Sequence, residues 1–274
     1  MSGLVILAVF AHPDDETVCS GTLVLNARRG GRSVVLCATR GEVGEIRDPT
    51  LATPETLGQV RERELQEACA ILGIDPPRFL DYRDSGMAGT PENAHPAALV
   101  NADRAHVLRQ LVAAIRELRP EVVITFEPGG LYGHPDHIAI SQFTTEAFTR
   151  AGQADQFPDA GAPWQPARLY YCTFEQERFR QFQQRLRQPG EEAPLPTIGT
   201  PAAAITTRVP IDEVLALKRQ AMLAHRTQVD PEGAMARAQS EELRELFRFE
   251  MFIRVVPPLQ PGEQDEFFSD PDGR

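Results

Sequence analysis

The stretch Leu4-Val5-Ile6-Leu7-Ala8-Val9-Phe10-Ala11-His12-Pro13-Asp14-Asp15-Glu16 begins as an unbroken apolar run and ends in an imidazole and three carboxylates. Apolar residues without polar alternation, over a length too short for a typical helix, predict a strand buried on both faces, the signature of a parallel sheet covered by helices. Ligands of such sheets bind just beyond the carboxyl ends of the strands. A dinucleotide-binding sheet would carry Gly-x-Gly-x-x-Gly at this place. Here Asp14, Asp15 and Glu16 occupy it, and they would repel a pyrophosphate and attract a cation.

Further strands are predicted at Val34 to Ala38, Phe79 to Tyr82 and Val122 to Phe126, with helical patterns between them. Leu57, Val60, Leu65, Ala68, Cys69 and Leu72 share one helical face, and Val107, Leu108, Leu111, Val112, Ile115 and Leu118 share another. Gly73 and Pro120 stand where those helices should stop. Two later strands, Arg168 to Phe174 and Phe249 to Val256, and a helix from Ile211 to about His225 complete the reading. The fold expected is α/β: a Rossmann-like, mostly parallel sheet with helices on both faces and a C-terminal addition. Residues 1–256 should form one domain, with a variable insertion region over 152–210. The Pro/Gly-rich acidic stretch 257–274 should be a loose tail.

The chain has 274 residues and a net charge of −11, which argues against a nucleic-acid partner. The four cysteines form no C-x-x-C pair, so neither a disulfide framework nor a cysteine zinc site is expected. No apolar run approaches the length of a membrane span, and no basic residue precedes the first apolar run as a signal peptide would require. A cytoplasmic enzyme with a small-molecule substrate is the expectation, and a homo-oligomer is compatible with it.

A second segment, His134-Pro135-Asp136-His137, follows the strand Val122 to Phe126 and a Pro-Gly-Gly turn. The two segments together hold three of the six histidines. Imidazole and carboxylate suit a catalytic divalent ion, which needs three protein ligands and an open position. His12, Asp15, His134 and His137 compete for those three places. Of the two adjacent aspartates, one would bind metal and the other accept a proton from water. A histidine left over could stabilise an oxyanion. His95 and His106 lack such company and read as a loop and a helix-surface residue, while His225 stands at a helix end where an imidazolium favours the dipole.

At Ala11-His12-Pro13-Asp14-Asp15-Glu16 and Gly133-His134-Pro135-Asp136-His137 the chain resembles the LmbE/PIG-L family of metal-dependent N-acetylglucosaminide deacetylases, and the likeness runs through most of the first 145 residues. The resemblance implies that His12, Asp15 and His137 bind zinc. It implies that Asp14 is the general base, that His134 stabilises the oxyanion and serves the leaving amine, and that Asp136 sits behind His134 and keeps it charged. On that account the alkaline limb of the pH profile would belong to His134. Iron(II) could replace zinc, because affinity order does not select the metal a cell supplies.

Further segments resemble the branch that makes glucosamine-based thiols. Gly41-Glu42-Val43-Gly44-Glu45 implies Glu45 near substrate, Arg61-x-x-Glu64-Leu65 implies Arg61 on sugar hydroxyls, and Arg83-Asp84-Ser85-Gly86-Met87 implies Asp84 and Met87 lining the sugar pocket. Tyr132 matches a mobile tyrosine beside the site, and Ala224-His225-Arg226-Thr227-Gln228 matches a C-terminal segment of that branch. The expected reaction is removal of acetyl from GlcNAc-malate or GlcNAc-inositol, in bacillithiol or mycothiol biosynthesis. An amidase of thiol S-conjugates, a non-catalytic metal-dependent sugar-binding module and a phosphoesterase are the alternatives. A binding module has no use for Asp14 and His134 beside the ligands, and neither metal motif carries the Arg/Lys cluster a phosphoesterase would favour.

Overall fold

The computed structural model describes residues 3–186, 195–230, 247–259, 263 and 265–269. Strand β1 (Val5–Phe10) is the third strand, flanked on both sides, of a seven-stranded sheet of order β3-β2-β1-β4-β5-β7-β6. Strands β2 (Arg32–Cys37), β3 (Arg78–Phe79), β4 (Val122–Phe126) and β5 (Arg168–Thr173) run parallel to it. Strand β7 (Phe249–Val256) pairs antiparallel with β5, and β6 (Thr207–Pro210) pairs antiparallel with β7. This is the expected mostly parallel α/β sheet, and its C-terminal addition supplies the antiparallel pairings.

Two helical layers keep β1 dry. Helices α1 (Ser20–Arg28), α2 (Leu57–Leu72) and α7 (Leu215–Ala224) pack together, and α3 (Arg104–Leu118) packs with α5 (Pro135–Ala151), which also contacts β1 and β4. A single turn, α4 (Gly130–Gly133), precedes α5, and α6 (Gln176–Leu186) follows β5. Ile6 to Phe10 are fully buried, which explains why their sequence is apolar at every position rather than at every second one. Gly73 closes α2 in the left-handed conformation at φ 68°, where a side chain would be strained. The Asp103 side chain caps α3 by accepting from the His106 N–H at 2.8 Å.

The chain order reverses between β1 and β4, since β2 and β3 lie on one side of β1 while β4 and β5 lie on the other. By the general rule for open α/β sheets a ligand crevice belongs at that switch point, and the two His-Pro-Asp segments follow β1 and β4 there.

Several local expectations change. Strand β3 covers two residues instead of four. The helix expected from Ile211 starts as a 3-10 turn over Asp212–Val214 before α7. Within the stretch 152–210, β5 is the strand expected at Arg168 to Phe174, while α6 and β6 are additional to the expectation. Strand β6 escaped notice because only four residues, ending in a proline, form it on an exposed sheet edge. Part of the stretch expected as a tail also packs. Phe267 is buried, with its ring 4.6 Å from Tyr170 and 5.1 Å from Phe252, and the Arg168 guanidinium donates to the Phe267 and Ser269 carbonyls at 2.9 and 2.6 Å. An acidic, Pro/Gly-rich composition hid an aromatic cluster that anchors it. Among the described residues no helix is long and apolar enough to cross a membrane, and the four cysteines are buried and unpaired.

Candidate active site

The first segment leaves β1 and turns sharply, and a 3-10 turn over Asp15–Val18 follows. The second enters α5 with Pro135 in its first turn, where the missing N–H costs nothing, and His134 as its N-cap. These two turns bring His12, Asp15 and His137 together. His12 Nδ1 lies 3.2 Å from His137 Nε2, His137 Nε2 lies 3.2 Å from an Asp15 carboxylate oxygen, and His12 Nδ1 lies 3.6 Å from the other oxygen. Nitrogen and oxygen ligands of a tetrahedral zinc ion sit about 3.3–3.5 Å apart, given bonds of about 2.0–2.2 Å. The three donors therefore fit a divalent ion as they stand. All three residues are buried.

His134 also converges with His12 and His137, and Asp84 with Asp136 forms a second cluster around His12. The hydrogen bonds separate these arrangements. His12 Nε2 faces Asp136 at 3.2 Å and Asp84 at 3.5 Å, on the ring edge opposite Nδ1. Asp136 also accepts from the Ser85 N–H at 2.9 Å, and Asp84 from the Gly86 N–H at 2.8 Å. These carboxylates are arranged as acceptors for His12 Nε2–H, leaving Nδ1 for a metal. A carboxylate behind a ligating histidine fixes its tautomer and raises its basicity. Burial pushes the His12 imidazole down, but Asp84 and Asp136 outweigh it and hold the pKa well above the ordinary value. Asp15 is opposed by burial and yet is held far below the usual carboxylate range by His137 and His12.

The expected place of Asp136 is corrected. It does not accept from the His134 ring; it meets His12 and Ser85 instead. Its backbone N–H donates to His134 Nδ1 at 3.1 Å, completing the helix cap. An Nδ1 that accepts carries no proton, so the ring keeps its proton on Nε2 and is neutral. Burial lowers the His134 pKa to about 4, with His12 and His137 adding to the effect.

Asp14 follows His12 in the same turn but is not among the three converging donors, and its side chain is 31% exposed. Its backbone has φ 108° and ψ −20°, a region that residues with side chains rarely adopt. Desolvation raises its pKa more than the Arg61 guanidinium lowers it, and neighbouring Asp15 raises it further.

Arg61, expected on sugar hydroxyls, has its guanidinium engaged by the protein itself. It is 4% exposed, and its guanidinium donates to the Pro13 carbonyl at 2.6 Å and the Gly41 carbonyl at 2.9 Å, and pairs with Asp14 at 3.2 Å. Gly41 makes this approach feasible: its φ is 65°, and a Cβ there would lie 2.0 Å from Arg61 Nη1. Asp84 is also buried, bound to its own loop and to His12. Glu45 and Met87 are exposed. Tyr132 is 43% exposed with its ring 5.0 Å from His137, and it follows Leu131, which is strained at φ 62° and ψ −56°. His95 and His106 are exposed, the first in a loop and the second on α3, as expected.

Two residues were not assigned roles from sequence. Glu16 and His225 are fully buried and joined at 2.7 Å. Glu16 read only as a third carboxylate and His225 as a helix end. Their separation of 209 positions leaves no local pattern from which a pairing could be inferred.

A sheet of this type also supports other chemistry. The solved 4-carboxy-2-hydroxymuconate hydratase of Pseudomonas putida shares the fold at TM-score 0.57 and 21% identity, covering 97% of this chain and all of that one. The N,N'-diacetylchitobiose deacetylase of Pyrococcus horikoshii shares it at TM-score 0.65 and 18% identity, over 91% of this chain and 83% of that one. Sequence discriminates better. The 1D-myo-inositol 2-acetamido-2-deoxy-alpha-D-glucopyranoside deacetylase of Rhodococcus jostii is 41% identical over 97% of this chain and 95% of its own length. The PIG-L family model, described as GlcNAc-PI de-N-acetylase, matches residues 7–148, a span that contains both His-Pro-Asp segments. With that match spanning both turns of the crevice, the chain belongs to the PIG-L family.

Proposed function

We propose that the chain is a zinc-dependent deacetylase that removes acetyl from an N-acetylglucosaminyl conjugate, with an inositol glycoside as substrate. The observation that carries this reading is Asp14: a carboxylate at the edge of a three-donor metal site, held by Arg61 and not itself one of the donors. A non-catalytic binding module would not need it. The inositol aglycone is supported by relatives named for that substrate at 34–41% identity over most of the chain, and none of those named relatives points to malate. Such an activity would belong to mycothiol synthesis rather than bacillithiol synthesis.

His12, Asp15 and His137 would hold the ion, which when bound supplies Lewis acidity toward the amide carbonyl and toward water. Asp14 accepts the proton of the attacking water. His134 Nε2–H donates to the carbonyl oxygen as negative charge builds there. Because His134 is a neutral donor, the proton for the leaving amine comes from Asp14, which returns the one it took. Acetate and a free amine result. Asp84 and Asp136 orient His12 rather than substrate, and Arg61 holds Asp14. Glu45, Met87 and Tyr132 stand where a sugar and its aglycone would meet the rim.

Acetate release from N-acetylglucosaminyl-inositol, from N-acetylglucosaminyl-malate and from an S-conjugated thiol amide tests this reading, each with and without a chelator. Chelator-sensitive release from the inositol conjugate, fastest of the three, is expected. Binding of that conjugate without release of acetate would return the site to a binding module.

A further inference from the structure

We infer that Glu16 and His225 form a buried brace that sets the backbone of Asp14, so that the C-terminal segment at residues 225–228 is a positioning part of the active site. This inference rests on the reading of Asp14 as the proton acceptor.

One Glu16 oxygen meets His225 Nε2 at 2.7 Å, and the other accepts the Asp14 N–H at 3.1 Å. That N–H belongs to the residue with φ 108°. An unfavourable backbone conformation persists only where surrounding contacts over-determine it. Asp14 has such contacts on three sides: Glu16 on its N–H, Thr17 on its carbonyl through N–H at 3.1 Å and Oγ1 at 2.6 Å, and Arg61 on its carboxylate at 3.2 Å. Of these three partners, Glu16 is the one that itself bonds to the C-terminal segment, at His225.

The same C-terminal segment grips the other elements that frame Asp14. Thr227 donates through N–H and Oγ1 to the two Glu64 oxygens at 2.9 and 2.7 Å, one helical turn along α2 from Arg61. Gln228 Nε2 donates to the Glu45 carbonyl at 2.9 Å, and the Arg47 N–H donates to the Thr227 carbonyl at 3.3 Å. Stability alone is a weak reason for the Glu16–His225 pair, because a buried ion pair is often no better than an apolar pair of the same volume. An apolar pair would fill the space but would leave the Asp14 N–H without its acceptor.

The test compares Glu16→Met with Glu16→Gln in the metal-loaded enzyme, measuring metal content and the kinetics of acetate release from N-acetylglucosaminyl-inositol. Glu16→Met is expected to lower kcat roughly 10- to 100-fold, the scale of a lost outer partner or a small misplacement, with KM changed by less than about threefold and metal retained. Glu16→Gln keeps a carbonyl oxygen for the Asp14 N–H and an amide for the His225 ring, so it recovers most of that loss. In an Asp14→Asn background, Glu16→Met costs nothing further, because the two act as one unit.

A wild-type kcat for Glu16→Met overturns the brace. So does equal damage from Gln and Met, loss of metal, or a full additional loss in the Asp14→Asn background. If Glu16→Met does not fold, His225→Leu and Thr227→Val carry the same expectations, and wild-type kcat in both overturns it. Wild-type activity in Asp14→Asn itself removes the proton-acceptor reading and the brace with it. An inactive Asp14→Asn beside a fully active Glu16→Met removes the brace alone.

Discussion

Residues 7–148 and the part of the chain after them contribute to the crevice in opposite ways. The earlier part supplies the three donors His12, Asp15 and His137 proposed to hold a metal, together with Asp14 and His134, all within two turns that follow β1 and β4. The later part supplies no described residue to that triangle. It extends the sheet through β5, β7 and β6, and it returns His225, Thr227 and Gln228 against the elements that carry the site. Chemistry is local to strand ends, where short turns can aim several side chains at one point. Support is distributed, because a turn with an unfavourable backbone needs partners from all directions.

The sharpest way to break this contrast is to remove a donor. His137→Ala should abolish metal binding at stoichiometric zinc and, with it, nearly all acetate release, as measured by metal analysis of the purified protein. Undiminished metal in that variant would end the assignment of the triangle. Asp14→Asn should keep its metal and lose about 10²–10⁴ in kcat, the range of general acid–base catalysis. Metal analysis and turnover on the same preparation separate the two roles.

His134→Ala should retain metal and lose about 10²–10³ in kcat, the scale of one oxyanion donor. The sign of its pH dependence follows from the ring's lowered pKa of about 4. Above that value the imidazole is already neutral, so it does not change state as pH rises through neutrality. The alkaline limb of the profile should therefore survive in His134→Ala, scaled down but not removed. Disappearance of that limb would restore the imidazolium role that the resemblance implied.

For the aromatic packing at Phe267, away from the segment at residues 225–228, the expected effect is on stability alone. Phe267→Ala, which deletes a ring buried against Tyr170 and Phe252, should cost about 3–5 kcal/mol in unfolding free energy while leaving kcat per folded molecule unchanged. Denaturant titration beside turnover measures both. A fall in kcat without a fall in stability would show that the C-terminal packing reaches the site by a route other than the segment at residues 225–228.

Much of the crevice was legible in the residues themselves. Leu4 to Ala11 announced a doubly buried central strand because no polar residue interrupts it. The carboxylates that follow it excluded a nucleotide and favoured a cation. The two His-Pro-Asp segments identified the candidate ligands, since each segment follows a strand that its apolar run made legible. What a one-dimensional pattern could not carry was the direction of each hydrogen bond. Asp136 was expected behind His134, two positions away, but it reaches His12, 124 positions away, because the start of α5 points its side chain across the crevice. Arg61 was expected on substrate but turns inward to Pro13, Asp14 and Gly41, the last of which clears space for it only by lacking a side chain. The partnership of Glu16 with His225, and the burial of Phe267 within a stretch composed like a tail, depend on the sheet bringing remote segments together. Sequence by itself determined which residues are chemically able to hold a metal and move a proton, because that follows from residue type and local spacing. Tertiary structure decided which of them face the metal, which face one another and which tautomer each imidazole keeps, because those depend on a few ångströms of packing between elements far apart in the chain.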